Sequence, residues 1–201
     1  MDPTTAVRSE TLPVIATVVA PGAFVSGPYL WAGLATADAV RAFLDRHEGL
    51  ALAGAILLWI VAGFTVESLG SYVEFYWIDR PRPDRAEMLE TWWRYLRIAW
   101  SKEPVGQHYL RRMLVSFKFE LNMSVAAALT IPGVVILGMR GAIGGGAAAV
   151  TIAILAVAAA GLFGMAQTSA GVLADVRQQL VRGVGEPPFD EGRPHRPGWT
   201  S

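Results

Sequence analysis

The sequence predicts an all-α integral membrane protein with four transmembrane helices and an amphipathic helix at the membrane interface between spans two and three. The first observation is composition: 201 residues, 53% hydrophobic and only 17% charged, with a mean hydropathy of +0.38. Soluble domains carry about 25% charged residues. The second is distribution, since the charges gather at positions 79–120 and after 175. The third is that the apolar stretches lack the alternation of a membrane β-barrel, which leaves helices as the spanning structure.

Four segments have the roughly 20 apolar residues that a hydrocarbon core of about 30 Å requires. We place the spans at about 12–35, 50–77, 113–139 and 147–174. The first apolar run is longer than the core of a signal peptide, so an uncleaved span is favoured over a cleaved leader. Residues 1–182 then form one transmembrane domain.

The segment 183–201 is rich in Pro and Gly and has no hydrophobic periodicity. This composition is typical of chain that does not bury enough apolar surface to fold alone. We therefore expect a disordered cytoplasmic tail unless a partner orders it.

The distribution of Lys and Arg predicts the orientation. The N-terminal tail carries one basic residue, the connection from span two up to and including Lys118 at the start of span three carries nine, and the C-terminal segment carries four. The two remaining loops carry two and one. Because basic residues are retained on the cytoplasmic side, both termini are expected in the cytoplasm. The strong preference for Arg over Lys, with abundant Ala and Gly, indicates a bacterial protein and therefore the cell inner membrane.

The connection between spans two and three contains an amphipathic helix at about 84–101. Asp84 can cap its first turn, with Glu87 three residues later. Its apolar side carries three tryptophans: Trp92, Trp93 and Trp100. Such tryptophans suit either the headgroup level of a lipid bilayer or the docking surface of a protein partner.

A cluster of polar residues is expected where spans two, three and four reach the inner leaflet. Counting about 1.5 Å per residue from Leu50, Glu67 lies about 26 Å along the second span, near the edge of the hydrocarbon core. The expected cluster is Glu67, Glu74, Lys118, Glu120, Asn122 and Gln167. Three interpretations remain open: an ion pair of Lys118 with Glu67 or Glu74, a vestibule that handles ions or protons, and a contact between subunits.

Two further features concern helix packing. Ala160, Gly164 and Thr168 recur at four-residue spacing in the fourth span, and small residues at this spacing allow close approach of helices. In the first span, Pro21 and Pro28 each lack the amide hydrogen that an α-helix uses, so a bend is expected.

Composition and motifs argue against several functions. There is no cysteine and the three histidines are far apart, so neither disulfides, thiolate chemistry nor an imidazole metal site is expected. No motif indicates a cofactor, a nucleotide or a catalytic serine. The zero net charge does not favour nucleic acid.

These observations predict a non-enzymatic membrane subunit that acts through helix packing and protein contacts, in a homo-oligomer or a larger membrane complex. The alternative is a small channel or pore-forming effector whose acidic residues line the path. The expected partners are the lipid bilayer and other membrane subunits.

Overall fold

The computed structural model describes residues 15–34, 37–82, 84–97 and 105–183, and helices are the only regular secondary structure in these residues. This confirms the all-helical prediction for the described residues. Positions 12–14 of the first expected span, the end of the amphipathic helix with Trp100, and the tail from 184 onward lie outside them.

The described chain forms six α-helices, two of which adjoin a short π-helical stretch. The first π-helical stretch precedes α1 and the second follows α3. The helices are α1 Ala20–Leu34 after π-helical Ile15–Val19, α2 Asp38–Arg46, α3 Glu48–Val73 with π-helical Glu74–Asp79, α4 Arg85–Arg97, α5 Val105–Met139 and α6 Gly145–Gly183. Helix α2 lies in a connection for which the sequence indicated no helix.

Several of these helices are long and apolar enough to span a membrane. Three qualify individually: α3 with its π-helical continuation, α5, and α6. The first expected span corresponds to α1, which qualifies together with α2 as a pair whose axes differ by 112°. The described chain therefore contains three candidate spans, or four if the bent pair is one broken span.

Helix α5 is the centre of the bundle. Half of its apolar window is buried, whereas only 11% of the windows of α3 and α6 is buried. Helices α1 and α3 pack against it on one side and α6 on another. The contacts of α5 run antiparallel to α3 and α6 and parallel to α1. The outer surfaces of α3 and α6 are consequently left exposed and apolar.

Helices α1 and α3 cross at two glycines whose backbones are in contact. A Cβ atom added to Gly22 would overlap the carbonyl oxygen of Trp59, and one added to Gly63 would overlap that of Val18. The absence of side chains at both positions thus allows the two backbones to approach more closely than any pair of larger residues would.

Two arginines cap the end of α1. Arg41 donates from Nη2 to the carbonyl oxygen of Leu34 at 3.0 Å, and Arg140 donates from Nη1 to that of Ala32 at 2.9 Å. The last carbonyls of a helix have no intrahelical donor and carry partial negative charge. A guanidinium supplies both the missing hydrogen-bond donor and a compensating positive charge.

At the opposite end of the bundle, α4 packs across the ends of α5 and α6. The buried residues Tyr95, Leu110 and Leu173 form this contact, one from each helix. The start of α4 shows the expected cap position, since the Met88 amide donates to the Asp84 carbonyl at 2.9 Å. Buried Tyr95 and half-buried Trp92 hold the amphipathic helix against the bundle, whereas Trp93 of the same apolar side is exposed.

Candidate functional site

The polar residues of α3 and α5 meet near the α4 end of the bundle. Lys118 on α5 donates from Nζ to Oε2 of Glu74 at 2.5 Å, and these side chains are only 28% and 24% exposed. Of the two acidic residues that could reach Lys118, the structure brings Glu74 to it. The pair joins two helices in a partly desolvated setting, where removing one partner leaves an uncompensated charge.

Glu120 connects α5 to α6. Its side chain is buried, and its two carboxyl oxygens accept hydrogen bonds from different hydroxyls. Ser116, one turn earlier, donates to Oε1 at 3.2 Å, and Ser169 of α6 donates to Oε2 at 2.8 Å. Ser124 adds a second link, donating to the Ala159 carbonyl of α6 at 2.8 Å. Two hydroxyl donors satisfy the carboxyl group in a region where water is scarce.

Asn122 supplies a hydrogen bond that a proline in α1 removes. Its Nδ2 donates to the carbonyl oxygen of Thr17 at 2.8 Å, and Asn122 itself is 1% exposed. Thr17 lies four residues before Pro21, which has no amide hydrogen to offer that carbonyl. The Oδ1 atom of Asn122 is buried without a hydrogen-bond donor, in the space that a side chain at Gly70 would fill. Asn122 thus joins α1, α3 and α5 at one point.

Two residues of the expected cluster lie outside this network. Glu67 is half-buried beside the buried stripe of Gly63, Val66 and Gly70, and it makes no hydrogen bond or ion pair with any described residue. Gln167 is exposed on α6, next to buried Ala166, so the structure does not bring it to the other polar residues.

The small residues of α6 occupy its outer face. The face of α6 that packs on α5 carries Ala148, Leu155, Ala166 and Leu173. At 100° per residue, Ala160, Gly164 and Thr168 lie on the opposite side, and all three are exposed. The small residues expected to pack helices closely are therefore not packed against another helix of the described chain.

The tryptophans of α4 differ in their surroundings. Trp92 is half-buried, stacks on Tyr95 with ring centroids 5.9 Å apart, and has the Arg177 guanidinium 4.2 Å from its ring centroid. Trp93 is 56% exposed and points away from α5 and α6. Trp100 lies outside the described residues.

The partners in α6, Ser169 and Arg177, were missed by sequence reasoning. Ser169 lies in a run of small residues that gives no signal of a hydrogen-bond donor. Thr17 could have been found, because Pro21 frees its carbonyl and Asn122 is the only side-chain amide in the third span. Within the described residues, no group of three or more His, Cys, Asp or Glu could hold a metal ion. The arrangement links α1, α3, α5 and α6 through polar bonds near the α4 end of the bundle.

No protein-family model, curated protein or solved structure matches the chain.

Proposed function

We propose that this protein is a non-enzymatic integral membrane subunit that assembles with further subunits through the outer face of α6. The observation that carries the proposal is the small-residue face of Ala160, Gly164 and Thr168, which is exposed directly opposite the packing face toward α5. In a bilayer, helices associate by close van der Waals packing, for which such a face is suited.

The surroundings of Gly164 support this assignment. Apart from the backbone of α6 itself and the adjacent residues, no atom of the described chain lies within 4 Å of the position that a Cβ atom would take at Gly164. The Thr168 hydroxyl donates to the Gly164 carbonyl at 3.1 Å, so the polar group on this face is satisfied within the helix. A second helix is thus able to approach this face without burying an unsatisfied hydroxyl. A further copy of the chain is the simplest such partner.

The proposed subunit has its termini and α4 on the cytoplasmic side of a bacterial inner membrane, as the distribution of basic residues predicts. The structure offers a separate role for two arginines on the opposite side, Arg41 and Arg140, because both bond to carbonyls at the end of α1. Reporter fusions after Arg46 and Arg140 are expected to indicate the periplasm, and a fusion after Lys102 the cytoplasm. A periplasmic signal after Lys102 would contradict the orientation.

The proposal is tested by measuring the mass of the purified protein in lipid nanodiscs. The wild type is expected to be a multimer, and Gly164→Leu is expected to shift it toward the monomer because the larger side chain blocks close approach. Met165→Leu is the control, since Met165 lies at the same depth but about 100° around the helix. A wild type that is monomeric at every concentration would contradict the proposal.

A second function, a channel formed on assembly, is favoured by one residue. Glu67 is a half-buried carboxyl group on a candidate span without a partner in the described chain, and an ionisable residue at this depth is typical of an ion path. If assembly forms such a path, Glu67→Gln lowers cation flux into proteoliposomes, whereas Glu48→Gln at the exposed start of α3 does not. Equal flux in wild type, both variants and empty liposomes would eliminate this function.

A further inference from the structure

An open crevice with mixed lining lies between α4 and the ends of α5 and α6. Its volume is about 140 Å³. The apolar part of the lining is Leu110, Leu114 and Leu173, and the charged part is Arg111 and Arg177. Trp92 and Tyr95 of α4 complete it. We call this feature the arginine crevice.

The guanidinium of Arg177 has no carboxylate in ion-pair contact among the described residues, although the charges of Asp79 and Glu74 act on it through space. It lies against Trp92, and its buried Nε atom has no hydrogen-bond acceptor. A half-buried cation with no anion in direct contact is incompletely compensated, so a bound anion would be stabilised here. A guanidinium is also the side chain best shaped to bind the oxygens of a phosphate.

The carboxylates around Arg177 do not bind it directly. Asp79 and Glu74 act on it through space, and Asp84, Glu87 and Asp175 line a separate cavity that Arg177 also borders. None of these five forms an ion pair with Arg177, and Glu87 accepts a hydrogen bond from Gln178 Nε2 at 3.1 Å. None of them lines the arginine crevice.

We propose that the arginine crevice binds an anionic phospholipid of the adjacent leaflet, with the phosphate at Arg177 and Arg111 and part of an acyl chain against the three leucines. A cavity of roughly 150 Å³ with an apolar lining accepts a group the size of benzene. The crevice therefore has room for a short acyl segment. Its combination of leucines and arginines matches a molecule that is both apolar and anionic.

The position of Arg177 suits a lipid phosphate. Side chains of a helix lean toward its N-terminus, which directs Arg177 of α6 back toward the proposed membrane. Arg111 precedes Lys118 by seven residues and lies about 10 Å farther along α5, beyond a headgroup layer of about 5–7 Å, so a phosphate held between the two arginines would lie at the outer edge of the headgroups. The inference rests on the membrane insertion that is part of the proposed function.

The test is native mass spectrometry of protein released from nanodiscs of phosphatidylglycerol or phosphatidylcholine. The wild type is expected to retain phosphatidylglycerol and not phosphatidylcholine. Loss of one charge-assisted bond in Arg177→Gln is expected to lower retention about tenfold. Arg112→Gln removes the same charge from the next residue of α5, which does not line the crevice, and is expected to leave retention unchanged. Arg111→Gln provides a second crevice variant if Arg177→Gln fails to fold.

Several results would overturn the lipid site. Equal loss in the Arg112 and crevice variants would mean attraction by general surface charge, and unchanged retention in both crevice variants would place the lipid elsewhere. Release of the lipid by excess inorganic phosphate would mean a site for a soluble anion. Recovery of the protein in buffer without detergent would instead contradict membrane insertion, on which the lipid site rests. A protein that is monomeric but retains the lipid would contradict the proposed assembly and leave the lipid site unaffected.

Discussion

The crossing of α1 and α3 gives the most quantitative expectation for stability. A Cβ atom at Gly63 would lie 2.8 Å from the Cγ1 atom of Val18 and 2.8 Å from its carbonyl carbon, whereas ordinary contacts begin at 3.4 Å. Because one neighbour is backbone, Gly63→Ala requires the two helices to separate by more than half an ångström. Overpacking of this kind costs about 1–3 kcal/mol.

The helical preference of alanine acts in the opposite direction. Replacing glycine by alanine within a helix contributes up to about 1 kcal/mol. Gly54, also in α3, has no atom within 4 Å of its Cβ position, so Gly54→Ala gains this preference without a clash. The two variants carry the same substitution in the same helix, and their difference in unfolding free energy is expected to be about 2 kcal/mol or more.

The assay is reversible unfolding of the purified protein in mixed micelles with increasing mole fraction of SDS, followed by circular dichroism. Gly63→Ala is expected to unfold at a lower mole fraction of SDS than the wild type. Gly54→Ala is expected to unfold at the same or a higher mole fraction. If Gly63→Ala is as stable as Gly54→Ala, the two helices do not cross at Gly63 and the packing of α1 is incorrect.

Two other contacts give expectations in the same assay. Lys118→Met should lower the unfolding free energy by about 1–2 kcal/mol, because it leaves the Glu74 carboxylate unpaired. Adding Glu74→Gln to this variant should recover part of the lost stability, whereas adding Glu67→Gln should not. Equal recovery in the two double variants would refute the pairing of Lys118 with Glu74. Trp92→Ala should cost about 2 kcal/mol through lost packing against α6. Trp93→Ala should change stability by less than about 0.5 kcal/mol as a surface substitution, and equal losses would contradict the docked position of α4.

The sequence predicted the long helices but not α2, because only the long helices have the apolar length that is typical of a membrane span. It did not decide whether Lys118 pairs with Glu67 or Glu74. Those two residues are seven positions apart and share a face of an ideal helix, and the π-helical stretch that begins at Glu74 alters the local geometry. Such a stretch depends on tertiary packing, and no pattern in the sequence indicates it.

The sequence also did not predict which face of α6 is buried against the bundle. Its sequence is mostly Ala, Gly and apolar residues on every side, so hydrophobic periodicity does not distinguish an inner face from an outer one. The small residues were expected to pack helices together, yet the structure buries Leu155 and Leu173 against α5 and leaves Gly164 outside. The polar bond between Asn122 and Thr17 was accessible in principle, because a proline in a span leaves a carbonyl that some donor has to satisfy.

The central claim, assembly through the outer face of α6, is tested most directly by disulfide cross-linking in native membranes. The chain has no cysteine, so each single cysteine substitution is the only position at which a disulfide can form. A disulfide requires Cβ atoms about 3.5–4.5 Å apart. If the account is correct, oxidation converts Gly164→Cys to a covalent dimer while Met165→Cys, exposed at the same depth, stays monomeric. Equal cross-linking at both positions, or none at Gly164, would contradict it.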